Sequence, residues 1–365
     1  MDKKKNFSNK VIIVDGFSAA GKTILPPILD SFNDTLLPCF YNELEWFISL
    51  WQTSNITDQT FISMIRNCCD QKIYNQLLGR EINSRFHDLS SLWKSSNRLE
   101  IIKRIFNKND RDLFKSKNSH KKILCLTITQ AFKTPTLFQK SLGERLLFVE
   151  FVRDPMNMFL QNYILFKTVI EGDPRKDFTL RRIDKSTNNI IPAYLENAEF
   201  IKNKFVSTED YILSMFDYLL EEWEKMYKKS SFFSNFLLIP MEQFLIHPEI
   251  YMDKISFFIK QDWNESKILK ALKKQYLPRK TLTNGAAFSI YKRYGFKKIK
   301  ANNLLDERKL YLQYLMKEKK FNQSILVKLN NQSKKYYEWL LRINKVHKDF
   351  NSLVECIENF NFPIT

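Results

Sequence analysis

Apolar positions along this chain fall into two patterns, short continuous runs and helical spacing. Four runs read as strands: Lys10 to Asp15 (KVIIVD), Lys122 to Thr129 (KILCLTIT), Arg145 to Val152 (RLLFVEFV) and Asn235 to Ile239 (NFLLI). Each is short and dominated by aliphatic and aromatic residues, as in strands covered on both faces. Elsewhere apolar residues recur every three or four positions. Residues 41–80 carry Leu44, Phe47, Ile48 and Trp51, then Ile62, Ile65, Ile73 and Leu77. Met156 to Ile170 and Tyr211 to Tyr227 repeat that spacing, which predicts amphipathic helices. Asp154 caps the first of these two, with Pro155 at its first position. His247-Pro248-Glu249 opens another, running to Ile259. Ser266 to Tyr276 reads as a short basic helix, and residues 303–346 as one or two Lys-rich helices.

The intervening segments are polar. Gly79 to Trp93 has no period, residues 171–192 form a charged excursion with Pro174, and Pro278 to Phe296 holds turn signals at Asn284-Gly285 and Tyr294-Gly295. Strands alternating with helices predict an α/β fold with a parallel sheet covered on both sides. The division expected is an α/β domain over residues 1–300, with residues 301–365 a helical extension packed on it.

Composition narrows the class. Of 365 residues, 44% are apolar and 14% aromatic, which sustains a core and excludes wholesale disorder. The 58 basic and 40 acidic residues leave a net charge of +18. That favours nucleotides, acidic glycans, nucleic acid or an anionic membrane face, although a Lys-rich solvated surface gives the same number. No nucleic-acid recognition module or aromatic-interleaved basic stripe is visible, so no nucleic-acid partner is expected. No stretch is long and apolar enough to cross a membrane, which leaves peripheral contact as the membrane option. Met1 to Lys10 leaves no room for a signal peptide, and a cytoplasmic location is expected. The five cysteines (Cys39, Cys68, Cys69, Cys125 and Cys356) form no CxxC pair, which fits a reducing compartment. The four histidines (His87, His120, His247 and His347) are spread along the chain, and no metal site is expected. His87 stands in the polar loop, His120 and His347 read as solvated, and His247 as a helix cap.

Glycine is the informative count. The chain has only 7, where average usage would give about 25. Two of them bracket Gly16-Phe17-Ser18-Ala19-Ala20-Gly21-Lys22-Thr23, which fits G-x-x-x-x-G-K-[ST] in full. Such a loop turns successive backbone N–H groups toward phosphate oxygens, while glycine permits the backbone angles and the close approach. The following helix adds the positive end of its dipole. Lys22 reaches the bridging oxygens and Thr23 adds a hydroxyl. The fold class is therefore a three-layer P-loop fold, with a central parallel sheet flanked by helices and extra helices at the C-terminus. Pro26-Pro27 is an oddity, because Pro27 would disturb the second turn of a helix begun at Lys22.

Arg153 closes the third strand and can hold a second phosphate at the sheet edge, or pair with Asp154 or Glu150 to fix a helix start. Here a resemblance enters. Phe148 to Tyr163, strand then Arg-Asp-Pro then helix, resembles the segment with which sulfotransferases bind the 3′-phosphate of 3′-phosphoadenosine 5′-phosphosulfate (PAPS). Leu238 to Phe258 is similar to a later strand, turn and Asp-Pro-Glu helix of that family. Pro278-Arg279-Lys280 followed by Gly285 resembles its late basic loop. The segments keep the family order over residues 10–30, 145–165 and 235–295. Gln161 and Asn162 stand where many members carry Ser, and the Gly-Lys-Thr loop is fuller than the family's looser form.

The resemblance implies sulfuryl transfer from PAPS to a hydroxyl, with a carbohydrate acceptor and no metal. It implies that Gly16 to Thr23 hold the phosphosulfate end, that Arg153, Gln161, Arg279 and Lys280 hold the 3′-phosphate, and that Lys22 stabilises the departing phosphate. The acceptor's proton needs a general base. Glu43 and Glu45 follow the loop helix; His87 and Asp88, and also Glu81, are rivals. Two other classes stay open. A kinase or NTPase using Mg-ATP would need an acidic residue closing the second strand and a lid arginine, for which Arg175, Arg181 and Arg182 are available. A basic membrane-surface or nucleic-acid binder would rest on charge alone.

Overall fold

The computed structural model describes residues 7–88, 90–106, 119–166, 181–183, 190–195, 198–202, 207–283 and 299–358. All four apolar runs are strands of one parallel sheet. Its members are β1 (Val11–Gly16), β2 (Cys39–Phe40), β3 (Leu124–Thr127), β4 (Leu146–Val152) and β7 (Phe236–Pro240), in the order β2-β3-β1-β4-β7. β5 (Arg181–Ile183) and β6 (Ile190–Pro192) pair antiparallel inside the charged excursion, where no strand was expected. β1 lies at the centre. The chain leaves it toward β3 on one side and later crosses to β4 on the other. Ligand crevices in open α/β sheets form at such a reversal, beyond the carboxyl ends of the strands.

Alternation along β1 assigns its two faces. Ile12 and Val14 pack with Leu25, Ile28, Phe244, Met252 and Leu272, while Val11 and Ile13 pack with Phe61, Ile65, Leu137 and Phe138. The 41–80 stretch is two helices, Glu43–Gln52 and Asp58–Leu77. A third core joins Val152 and Leu238 to the helices Pro155–Ile164, Thr208–Ser230, Leu304–Lys317 and Gln323–Arg342.

One buried network runs through that core. Asp154 caps Pro155–Ile164 by accepting from the Met156 N–H at 2.9 Å. Its carboxylate also takes a 2.8 Å bond from Arg308 and a short one from Ser333. The Asp of Arg-Asp-Pro is thus spent on fastening two C-terminal helices to the sheet.

The expected helix after the glycine loop is replaced by a tighter arrangement. A 3-10 turn covers Lys22–Ile24, and a separate helix, Pro26–Leu29, begins with proline at its first positions. Pro26 and Pro27 restart the chain where proline's missing N–H costs nothing, which accounts for the pair.

Candidate active site

Gly16, the last residue of β1, lies so close to β4 that a Cβ there would be 2.9 Å from the Phe151 carbonyl oxygen. Gly21 has φ +90°, and a Cβ there would be 2.6 Å from Cε of Met241. Between them Phe17 drops its ring into the core, and Ala20 closes a turn by donating its N–H to the Phe17 carbonyl at 3.0 Å. Ala19 takes the left-handed conformation at φ 70°, while Ser18 is half-buried. The first bond of the 3-10 turn is donated by Ile24 to Gly21. The N–H groups of Gly21, Lys22 and Thr23 precede it and stay outside the turn's own ladder. The loop offers backbone donors, as the motif requires, but with little helix dipole behind them.

Lys22 is buried, with Nζ donating to the Gly16 carbonyl at 2.6 Å and to Thr129 Oγ1 at 3.0 Å. The Thr129 N–H in turn donates to Glu45 Oε1 at 2.7 Å. Thr129, two residues beyond β3, therefore holds the loop lysine and a carboxylate together. Burial pushes the Glu45 carboxyl up to about 7 against the pull of Lys22. Burial also lowers the Lys22 ammonium, against the pull of Asp15, Glu45 and Glu150. Asp15 and Glu150 stand opposite each other in register on β1 and β4, both fully buried. Burial raises both, and the Asp15 charge raises Glu150 further.

The second cationic group stands beside the loop. Arg153 donates to the Ala19 carbonyl at 2.8 Å, with Nε 3.9 Å from Glu242 Oε1. Glu242 is buried and also accepts from Asn157 at 2.9 Å and from the Tyr336 hydroxyl at 3.2 Å. Arg279 is close enough for Arg153 to affect it. Burial, then the Arg153 charge, lowers its guanidinium to about 10, partly offset by Glu307. Arg279 spends three bonds of 3.1–3.3 Å on the carbonyls of Gln275, Tyr276 and Leu282, which fixes its fork. Two guanidinium groups held near each other are a natural seat for an anion. Gln161 is half-buried on the helix behind Arg153, and Lys280 is exposed.

A cavity of about 650 Å³ adjoins the loop, lined by Thr23, Pro26 and Pro27, by the strand ends Phe40 and Thr127, and by Trp93. Lys94, Arg98, Lys267, Lys270 and Lys274 make much of it basic.

Glu45 is the one candidate base that the structure brings to Lys22. Glu43, two residues earlier, lies on the exposed side of the same helix. His87 is exposed, and its carbonyl accepts from Lys94 at 2.6 Å. Asp88 accepts from Asn83 at 3.1 Å and sits 3.7 Å from Arg85. The partners of both lie within their own polar loop. Glu81 pairs with Lys72 at 2.6 Å. Arg175 lies outside the described residues. The sequence reading missed Thr129, the Asp15–Glu150 pair and Glu242. Thr129 and Glu242 each follow a buried strand, and Asp15 and Glu150 lie inside one near its carboxyl end; those positions are the available signal.

His347 also departs from expectation. It is half-buried rather than solvated, and its ring lies against that of His247, tilted by 41° with centroids 4.0 Å apart.

Comparison with known proteins gives structural neighbours only. No protein-family profile and no curated protein matches the chain. Similar solved structures include a mouse sulfotransferase, SULT7A1, complexed with PAP. It has 13% identity and a TM-score of 0.34, over 97% of this chain and 89% of that one. Another is the sulfotransferase STF9 from Mycobacterium avium, with 11% identity and a TM-score of 0.35, over 83% of this chain and 79% of that one.

Proposed function

We propose that this protein is a sulfotransferase that moves a sulfuryl group from PAPS to a hydroxyl of an acidic carbohydrate. The observation that carries this reading is Arg153, tied directly to the phosphate loop through the Ala19 carbonyl, with Arg279 as a second cation whose guanidinium its charge reaches. A loop alone suits any nucleotide. A loop with a second anion seat beside it suits a nucleotide phosphorylated at both ends of the ribose. The cradle around Gly21 and the buried ammonium of Lys22 fit the phosphosulfate end.

Sulfuryl transfer needs in-line positioning and neutralisation of charge on the leaving oxygens. Lys22 supplies that charge once it leaves the Gly16 carbonyl. Glu45 takes the acceptor's proton, which its raised pKa suits at neutral pH. Thr129 holds both groups in one frame. A magnesium-dependent kinase would need a carboxylate closing the strand beside the loop. β3 ends in Thr127, and Thr129 follows it, so the kinase reading finds no support there.

The acidic-carbohydrate acceptor rests on the cavity. Trp93 and Phe40 offer flat faces for sugar C–H groups, and its lysines suit a carboxylate or sulfate. The test is transfer of labelled sulfate from PAPS to paired oligosaccharides with and without an acidic group. The acidic member should accept sulfate faster, and Lys270→Ala with Lys274→Ala should narrow the difference. Equal rates on both members in the unaltered enzyme would remove the acidic-acceptor reading and leave the donor reading standing.

A further inference from the structure

The fold brings together two of the chain's four histidines. His247 sits at the junction between the helices Met241–Ile246 and Pro248–Ile259. His347 precedes the short turn Lys348–Phe350 near the C-terminus. One ligand atom each from His247, His347 and Asp349 lie within 4.8 Å of one another. His247 Nε2 is 2.9 Å from Asp349 Oδ2, and His347 Nδ1 is 3.6 Å from the same oxygen. Ligand atoms around a tetrahedral zinc, at metal distances of about 2.0–2.2 Å, stand roughly 3.3–3.5 Å apart. The 2.9 and 3.6 Å separations bracket that spacing.

On its other side, His247 Nδ1 lies 3.2 Å from Glu249 Oε1, and the two histidine rings stand with centroids 4.0 Å apart at 41°. One divalent cation would serve all three ligand atoms, with Glu249 as the carboxylate that orients a ligating histidine from behind.

The cluster is also held in place without a metal. Gln243 accepts from the His347 N–H at 2.8 Å and donates a short bond to the Lys345 carbonyl. Asp349 is half-exposed, which leaves a solvent-side coordination position. The His347 ring accepts only a long 3.4 Å bond from the Asp349 N–H, weak enough for a metal to displace.

We infer that His247, His347 and Asp349 bind one zinc-class divalent transition metal, which clamps the 343–350 segment onto the helix junction at His247. This site is separate from the transfer chemistry at Lys22. The full-length, untagged chain should be stripped with a chelator and titrated with Zn²⁺ by calorimetry, and with Co²⁺ by visible absorption. The expected result is one ion per chain, intense four-coordinate cobalt bands, and a rise in Tm with metal. His247→Ala and His347→Ala should each weaken binding at least tenfold and abolish the Tm rise, while His87→Ala with His120→Ala should change neither. Asp349→Asn, the mildest change, should weaken binding with apo Tm nearly unchanged. Absence of stoichiometric uptake, or equal uptake by the His247 and His347 variants, would overturn the site. So would stability that ignores metal and rises as pH falls through the histidine range, because a protonated His247 would then be the clamp.

Discussion

Arg153 donates from its guanidinium to the carbonyl of Ala19 at 2.8 Å, joining two segments 134 residues apart. The bond explains why the strand-ending arginine and the glycine loop work as one unit. Ala19 is itself held left-handed at φ 70°, so the loop is shaped in part by the arginine that reads it. Beneath them Asp154 and Glu242 link the same corner to the C-terminal helices through Arg308, Ser333 and Tyr336.

Lys22→Ala should abolish most transfer. The lysine is buried among Asp15, Glu45 and Glu150, and other described cations do not stand in that position. Loss of one positioned charge-stabilising donor typically lowers kcat by about 10²–10³. Lys22→Arg should recover little, because a larger planar group must enter a slot sized for an ammonium 2.6 Å from Gly16. Single-turnover rates with saturating donor measure this. A kcat within a factor of three of the unaltered enzyme would exclude Lys22 from the chemistry.

Glu45 gives a pH signature. Its carboxyl titrates near 4.5 when unfolded and is pushed up to about 7 in the fold. Between those values the folded chain holds a proton that the unfolded chain has lost. Stability therefore falls as pH rises through that window and stays lower above it. Glu45→Gln should remove that fall, raising Tm at pH 8 relative to the unaltered protein while abolishing the acid limb of kcat/KM near pH 7. A variant that keeps the acid limb would place the base elsewhere.

Asp154→Ala should cost roughly 3–5 kcal/mol, because it strands the buried Arg308 guanidinium as well as the helix cap. Urea denaturation measures the loss. Less than about 1 kcal/mol would mean that the C-terminal helices do not depend on this anchor.

Gly21→Ala should cost about 1–2 kcal/mol for the left-handed backbone alone. It should also weaken donor binding, since the new methyl group displaces Met241 at the loop's edge. Thermal unfolding and donor titration report the two effects separately.

The strands were legible because each buried strand is a dense aliphatic run, and β1 with its loop was unambiguous. β2 was not, because Cys39–Phe40 is two residues long and carries no period. The helix after the loop was misjudged because Leu25, Ile28 and Leu29 sustain helical spacing across a break that Pro26 and Pro27 impose. At the site, the loop and Arg153 could be read from local motifs. The choice of Glu45 over Glu43 could not, because it depends on Thr129, which reaches the helix only through sheet order. The pairing of His247 with His347 was invisible for the same reason: tertiary packing alone brings them together.

The proposed donor site has two anion seats, the glycine loop and Arg153 with Arg279. The most direct measurement is a thermal-shift titration comparing adenosine 3′,5′-bisphosphate with adenosine 5′-monophosphate, without magnesium. At 100 times its dissociation constant a ligand stabilises the fold by about 2.7 kcal/mol. The bisphosphate should bind at least tenfold tighter than the monophosphate, and Arg153→Ala and Arg279→Ala should each erase most of that preference while keeping the monophosphate response. Equal affinity for the two ligands in the unaltered protein would contradict it.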